Sequence, residues 1–161
     1  MANETGASCE GCCTCGYVRY RMDGPPLFVH CCHCTWCQRE TGSAFAVNAF
    51  IEASEVEPLK GAPVPTTLPS VSGKGQVLWR CADCGVTVWS NYAGAGPKFN
   101  FVRAGTLDDP SRVPPDIHIY TSSKQPWVIL PDGVPAVPEF YKAAEVWPVD
   151  SLARFKAATA G

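Results

Sequence analysis

Seven of the ten cysteines in this chain of 161 residues fall into three short clusters with the spacing of metal ligands. They form the first pair (Cys13, Cys15), the trio (Cys32, Cys34, Cys37) and the second pair (Cys81, Cys84). Loops with the patterns C-x-C and C-x-x-C can place two sulfurs on one ion, and thiolates are preferred ligands of zinc. A disulfide within C-x-C would close a very small, strained ring. The clusters therefore predict metal binding, with zinc as the metal.

Zinc usually takes four tetrahedral ligands, so seven cysteines divide into a closed site of four and an open site of three. A closed site is structural, whereas an open site keeps one position for water or substrate. The spacing leaves two pairings open. Cys34 and Cys37 could join the second pair as in a zinc ribbon, with the first pair left over. Alternatively, the two pairs form the closed site and the trio forms the open one.

The composition argues against several other classes of protein. Lysine and arginine occur singly and the net charge is −2, so no basic face for nucleic acid is expected. No apolar run approaches the roughly 20 residues of a membrane span, and the N-terminus lacks the features of a secretory signal. We therefore expect a cytoplasmic protein without nucleic-acid or membrane partners. In a reducing compartment, clustered cysteines indicate metal sites rather than disulfides.

The elements that must position these cysteines are predicted to be short strands. Apolar residues make up 46% of the chain, enough for the core of one domain, while 15 prolines and 14 glycines interrupt long helices. Alternating or apolar runs predict strands at residues 17–22, 27–29, 45–51, 99–103 and 117–120. Residues 57–75 contain four prolines and three glycines and are predicted to be a loop.

The second pair lies between two further predicted strands, residues 76–80 and 86–90. This is the strand–turn–strand arrangement of a zinc hairpin, and Gly85 suits the positive φ that such a turn often needs. Near the C-terminus, Asp150 is predicted to cap a helix through residues 151–157. The expected architecture is a strand-dominated domain with a short C-terminal helix.

Five segments resemble, in order, the motifs of one family. Residues 11–20 (GCCTCGYVRY) resemble its opening G-G-C-x-C-G-x-V-R-Y, and residues 32–39 (CHCTWCQR) its segment C-H-C-x-x-C-R-[RK]. Residues 81–85 match C-x-x-C-G, residues 105–110 match G-[ST]-L-D-D-P, and residues 118–127 resemble H-I-[WYF]…S-[KR]-x-P-W. By this resemblance the chain is identified as a member of the glutathione-dependent formaldehyde-activating enzyme (GFA) family, which carries the CENP-V/GFA domain.

The resemblance implies a mainly β, Mss4-like β-tent of short antiparallel strands with zinc knuckles and a short C-terminal helix. We expect the chain to divide into a flexible N-terminus (1–8), the zinc domain (9–138) and a C-terminal extension with a helix (139–161). It also implies two zinc ions per chain. The structural zinc would be held by Cys13, Cys15, Cys81 and Cys84, and the catalytic zinc by Cys32, Cys34 and Cys37.

The resemblance further implies a carbon–sulfur lyase of the S-(hydroxymethyl)glutathione synthase type. In that reaction the glutathione sulfur attacks formaldehyde, or the adduct releases it. We hypothesise that the trio holds zinc and that the thiol substrate, glutathione acting with an aldehyde, takes the fourth position. The alternatives are a lyase of the same fold acting on another thiol adduct or electrophile, and a non-enzymatic zinc module that binds a protein. Any of these is compatible with a homo-oligomer.

Four further side chains are candidates for catalysis or substrate binding. His33 is predicted to point away from the metal, and a histidine with a pKa near ~6.5 can shuttle a proton at neutral pH. His118 is more typical of a structural histidine in a strand. Arg39 and Lys124 could pair with a glutathione carboxylate, although a solvated surface charge is the commoner case.

Three features depart from the family pattern. Cys12 stands where glycine is usual, Gln38 where arginine is frequent, and residues after about 139 extend beyond the core motifs. A thiol at Cys12, beside the first pair, could compete for metal. Cys31 precedes Cys32 directly and is predicted to face the opposite way if that segment is extended.

Overall fold

The computed structural model describes residues 8–160, which form two β-sheets and three α-helices. The strands are β1 (Cys9–Cys12), β2 (Arg19–Met22), β3 (Phe28–Cys32), β4 (Ala46–Glu52), β5 (Val56–Lys60), β6 (Val64–Leu68), β7 (Gln76–Arg80), β8 (Thr87–Tyr92), β9 (Phe99–Arg103) and β10 (Ile117–Ile119). The helices are α1 (Thr35–Thr41), α2 (Ala143–Val146) and α3 (Val149–Thr159).

The larger sheet has seven strands in the order β10-β3-β4-β9-β8-β7-β6, and the smaller has three in the order β1-β2-β5. Neighbouring strands are antiparallel except β10 and β3, which run parallel. Tyr20 of the small sheet meets Trp89 of the large sheet edge-on, with ring centroids 5.5 Å apart. This mainly β architecture with a helix near the C-terminus confirms the predicted fold class and is consistent with an Mss4-like domain.

Two strands lie where the proline content predicts a loop, within residues 57–75. β5 contains Pro58 and β6 contains Pro65, but β5 is an edge of the small sheet and β6 an edge of the large one. Proline has no N–H to donate and is tolerated on an edge strand, where one side needs no partner. The loop prediction is therefore wrong for both segments.

α1 follows β3 directly and has an unusual cap. Serine, threonine, aspartate and asparagine are the common N-caps, but here Cys34 takes that position and its sulfur accepts from the Cys37 N–H at 3.3 Å. Gly42 ends the helix with φ +64° and donates its N–H to the Gln38 carbonyl at 2.9 Å. A cysteine of the trio thus caps the helix, and no conventional sequence signal marks its start.

α3 begins earlier than predicted. Pro148 takes the N-cap position, and Asp150 lies in the first turn, where its carboxylate interacts favourably with the helix dipole. The predicted cap at Asp150 is therefore wrong. The reason is that Pro148 has no N–H to contribute to the preceding segment and already marks the start of the helix.

The C-terminal extension packs onto an aromatic face of the large sheet. Trp147 stacks on Phe28 of β3, with ring centroids 5.7 Å apart. Trp147 also donates its indole N–H to the Tyr141 hydroxyl at 2.7 Å, and that hydroxyl lies 2.6 Å from His30 Nε2. Burial lowers the pKa of His30 to about 4, so the neutral ring can accept this hydrogen bond. The extension is thereby tied to the strand that leads into the trio.

Residues 1–7, most of the segment predicted to be flexible, lie outside the described residues. The domain boundary predicted at residue 138 stays a prediction. Within residues 8–160, no helix has the length and apolar character that crossing a membrane requires.

Candidate metal centre

The structure brings the two cysteine pairs together into one cluster of four sulfurs. All four lie within 4.8 Å of one another. The Cys15 sulfur lies 3.5 Å from that of Cys13 and 3.6 Å from that of Cys81. Four sulfurs at ~2.3 Å from a tetrahedral zinc would lie about 3.8 Å apart. The cluster can therefore hold a metal ion, and its donor set is compatible with zinc.

Two tight turns place these four sulfurs. Between β1 and β2, the Val18 N–H donates to the Cys13 sulfur at 3.3 Å. Between β7 and β8, Gly85 has the predicted positive φ, at +74°. Backbone N–H groups directed at sulfur favour the thiolate, and the one from Val86 is the main cause that lowers the pKa of Cys84 to about 6. Both turns thus prepare sulfur atoms to act as anionic ligands.

The trio forms a second, fully buried cluster. Its three sulfurs lie within 4.8 Å of one another, and no further histidine, cysteine or carboxylate of the described residues joins this group. Hydrogen bonds from Cys32 and then Cys37 stabilise a thiolate on Cys34 and lower its pKa to about 3. The contact with Cys34 in turn raises the pKa of Cys32. This cluster can also hold a metal ion, through three protein ligands.

Gln38 fastens α1 to the segment that follows β10. Its Nε2 donates to the carbonyls of His33 at 2.7 Å and Ser123 at 3.0 Å, and its Oε1 accepts from Gln125 Nε2 at 2.7 Å. The arginine of the family pattern has no acceptor atom and could not receive the bond from Gln125. The carboxamide therefore positions the helix that carries Cys37 by both donating and accepting.

His33 and His118 form a third buried group, with Cys31. The His33 Nε2 lies 2.9 Å from His118 Nδ1 and 3.6 Å from the Cys31 sulfur, so Cys31 belongs to a different group from Cys32. The other ring nitrogens, His33 Nδ1 and His118 Nε2, are buried without a hydrogen-bond partner in the described residues. A metal on both rings would leave two buried N–H donors unpaired, whereas the hydrogen-bonded pair leaves one. This group is therefore a poorer metal site than the two sulfur clusters, although its ligand atoms are also close together.

The remaining two candidates, Arg39 and Lys124, lie outside all three groups. Arg39 is exposed on α1, and the described part of the chain offers it no hydrogen bond or ion pair. The Lys124 Nζ donates to the carbonyls of Gln125 at 3.1 Å and Val128 at 2.7 Å, which holds the segment after β10 in place. A role for either side chain in binding a carboxylate stays a prediction.

A buried ion pair near the trio was not predicted from the sequence. Glu40 of α1 lies 3.1 Å from Arg103 at the end of β9, and both side chains are only 8% exposed. Arg103 also donates to Asn48 Oδ1 at 2.6 Å, and Gln76 donates to the Glu40 carboxylate. Burial raises the pKa of Glu40, and negative charge on Cys34 adds to this effect. The ion pair therefore lies within electrostatic reach of the trio.

Replacing Glu40 with glutamine is expected to destabilise the fold by about 3–5 kcal/mol, because Arg103 would remain charged and buried without a counter-ion. The matched control is Glu57→Gln, which breaks an ion pair with Arg21 whose two side chains are 54% and 36% exposed. An exposed pair contributes at most about 1 kcal/mol. Chemical denaturation of both variants measures the difference, and equal losses would contradict the buried pair.

A cavity of about 460 Å³ is lined by residues that adjoin both sulfur clusters, although none of the seven cysteines is part of its lining. Its lining includes Gly85, from the turn that holds the second pair, and Glu40, from the helix that carries Cys37. Ala46 also lines it and packs in the same buried cluster as the cysteines of the trio. The volume falls within the roughly 300–1,000 Å³ of small-molecule sites. A small molecule could therefore bind in this cavity, whose wall includes Ala46, the strand partner of Cys32.

The fold and the site define a class of protein, namely a β-rich domain with two sulfur clusters that can each hold a metal ion. The sequence profile of the family described as glutathione-dependent formaldehyde-activating enzyme matches residues 8–123, which include all three cysteine clusters. The chain belongs to that family. A search of curated proteins found no match. Among solved structures, a Rhodobacter sphaeroides protein is similar, with 22% identity and a TM-score of 0.48 over 62% of this chain and 87% of that one.

Proposed function

We propose that this chain is a zinc-dependent carbon–sulfur lyase that forms or cleaves S-hydroxymethylglutathione. The observation that carries the proposal is the trio, whose three buried sulfurs converge without a fourth protein ligand in the described residues. Ala46, the strand partner of Cys32, connects the trio to the wall of the cavity. Family membership supports glutathione and formaldehyde as the reactants. The four-sulfur cluster has a different role in the proposal, because a site closed by four cysteines is structural.

The proposal assigns two zinc ions to named ligands. The structural ion is held by Cys13, Cys15, Cys81 and Cys84, and the catalytic ion by Cys32, Cys34 and Cys37. When bound at the trio, zinc would keep a substrate thiol in its deprotonated form, which is the reactive nucleophile. The chemistry of the trio fits such a cation. Hydrogen bonds from its neighbours already favour the thiolate on Cys34, and a cation would offset the effect that raises the pKa of Cys32.

The proposed reaction joins the glutathione sulfur to the carbonyl carbon of formaldehyde. The thiol proton ends on the carbonyl oxygen, and the reverse reaction breaks the same carbon–sulfur bond, so no oxidant or reductant is required. The partly buried side chains of Trp36, Tyr120 and Trp147 pack against the apolar cluster that contains the three cysteines of the trio. This apolar wall limits the access of water to the reacting sulfur.

Tyr120 is held in that wall by a strained backbone. It is the one non-glycine residue of the described chain with a positive φ, at +54°. Such a conformation costs about 1–3 kcal/mol and persists only where surrounding contacts enforce it. The enforcing contacts include its backbone N–H, which donates to the Glu139 carbonyl at 2.9 Å. The C-terminal extension thus helps to shape the proposed site.

Exchange NMR spectroscopy of glutathione with formaldehyde tests this function. Zinc-loaded protein with two zinc ions per chain is expected to accelerate formation and breakdown of the adduct above the rates with zinc salt alone or without protein. Mild chelation that removes one zinc should abolish the acceleration. Identical rates with and without the zinc-loaded protein would refute the proposal. A single tight zinc per chain would instead favour a binding module.

A further inference from the structure

Arg80 presents an uncompensated positive charge at the wall of the cavity. It is the last residue of β7, and its Nε is buried without a hydrogen-bond partner in residues 8–160. Arg103 lies in the same wall but is paired with Glu40 at 3.1 Å and donates to Asn48 at 2.6 Å. Within residues 8–160 no ion pair compensates the charge of Arg80, whereas Glu40 compensates that of Arg103. The cavity is therefore suited to an anionic group at Arg80.

We propose that this cavity binds the body of a carboxylate-bearing thiol, with a carboxylate on Arg80 and the sulfur directed toward the trio. The inference rests on the proposed function, because the trio must receive the thiol. A guanidinium group binds a carboxylate through two parallel hydrogen bonds. Arg80 thereby selects thiols that carry a carboxylate over neutral thiols of similar size.

The rest of the lining supports a ligand with one charged end and a less polar body. Phe45, Ala46, Val47 and Val86 contribute apolar surface to the cavity. Sites of this kind bind the body of a ligand through apolar contacts and fix its orientation with a few polar groups. Since Ala46 also packs with the cysteines of the trio, a ligand anchored at Arg80 can extend along this surface toward the sulfurs.

The two cations predicted from the sequence are less suited to this task. Arg39 is exposed on α1 and is not part of the cavity lining. The Lys124 ammonium already donates to the carbonyls of Gln125 and Val128. Arg80 combines a place in the cavity wall with an unpaired donor, which neither of the others does.

Calorimetric binding of S-methylglutathione and of its diethyl ester to the zinc-loaded protein tests the inference. Arg80→Gln is expected to weaken binding of S-methylglutathione about tenfold or more, because hydrogen bonds to a charged group are lost. The same substitution should leave binding of the ester unchanged. Arg80→Lys keeps the charge but cannot form the two parallel hydrogen bonds, so its affinity for S-methylglutathione should lie between those of wild type and Arg80→Gln. Lys74→Gln removes a charge from an exposed turn and should change neither affinity.

The inference would be overturned if S-methylglutathione did not bind to the wild-type protein, or if wild type and Arg80→Gln bound it with equal affinity. It would also be overturned if Arg80→Gln lost as much affinity for the ester as for S-methylglutathione. Zinc content and thermal unfolding establish that each variant is folded. S-methylglutathione has no free thiol, so its binding does not depend on the exchange reaction. If exchange is not accelerated but Arg80-dependent binding persists, the proposed function fails alone. If exchange is accelerated without Arg80-dependent binding, only the carboxylate site fails.

Discussion

Cys32→Ala is expected to lower the zinc-dependent acceleration of glutathione–formaldehyde exchange by at least about 30-fold. A free thiol with a pKa near ~8.5 is only about 3% thiolate at pH 7. If the glutathione thiol is no longer kept fully ionised by zinc at the trio, the concentration of the reactive thiolate falls by about 30-fold. Cys32 is buried at the end of β3, and its sulfur is one of the three in the trio. Exchange NMR and zinc content, measured on the same preparation, report the loss of activity together with the loss of one zinc.

Cys31→Ala is the matched control for this prediction. Cys31 is the preceding residue of β3, is equally buried, and carries the same side chain. Its sulfur, however, lies 3.6 Å from His33 Nε2 in a separate group. This variant should therefore keep two zinc ions and most of the acceleration. If Cys31→Ala and Cys32→Ala lose activity to the same extent, the trio is not the site of the reaction.

Cys84→Ala is expected to remove most of the stability of the fold. Cys84 is exposed, and substitutions at exposed positions without special contacts usually change stability by only about ±0.5 kcal/mol. A structural zinc contributes far more, about 10–16 kcal/mol in zinc-finger peptides, against a total domain stability of about 5–15 kcal/mol. Loss of one of four ligands should therefore lower the free energy of unfolding by more than about 3 kcal/mol. Guanidinium denaturation in the presence of zinc measures it.

Asp83→Ala provides the comparison, because Asp83 is exposed in the same turn but does not belong to the sulfur cluster. It should change stability by no more than about ±0.5 kcal/mol. Addition of a strong chelator should destabilise Asp83→Ala but have little further effect on Cys84→Ala. Equal stability of the two variants would show that the four-sulfur cluster does not hold the fold together.

The two cysteine predictions separate the clusters by their consequences. Loss of a ligand from the trio should remove activity while the fold persists, because strand β3 and helix α1 are also held by backbone pairing and by Gln38. Loss of a ligand from the four-sulfur cluster should loosen the join between the turn after β1 and the turn after β7. This contrast is the clearest experimental distinction between a catalytic and a structural site in this chain.

Much of the candidate site could be predicted from the sequence because its geometry is local. C-x-C and C-x-x-C spacings bring sulfurs together within a few residues whatever the rest of the fold does. The alternation of side chains along an extended segment likewise separates Cys31 from Cys32. The hairpin around the second pair, with Gly85 at positive φ, follows from the same local rules.

Other features depend on partners far along the chain and could not be predicted in this way. Pro58 and Pro65 indicate loops until the sheet order places their strands at the edges. The start of α1 is hidden because its cap is a cysteine rather than a conventional capping residue. Glu40 and Arg103 are 63 residues apart in sequence, and nothing local marks them as a buried pair.

The sequence by itself determined which cysteines could bind metal, the mainly β fold class and the family. The tertiary structure alone decided which clusters meet: it gathers the two pairs into a four-sulfur group, keeps the trio separate and forms a cavity whose wall includes Gly85 and Ala46. Only the fold also distinguishes Arg80 from the other arginines. The physical reason is that spacing fixes the geometry within a cluster, whereas burial, pairing and charge compensation arise from contacts between strands that are remote in sequence.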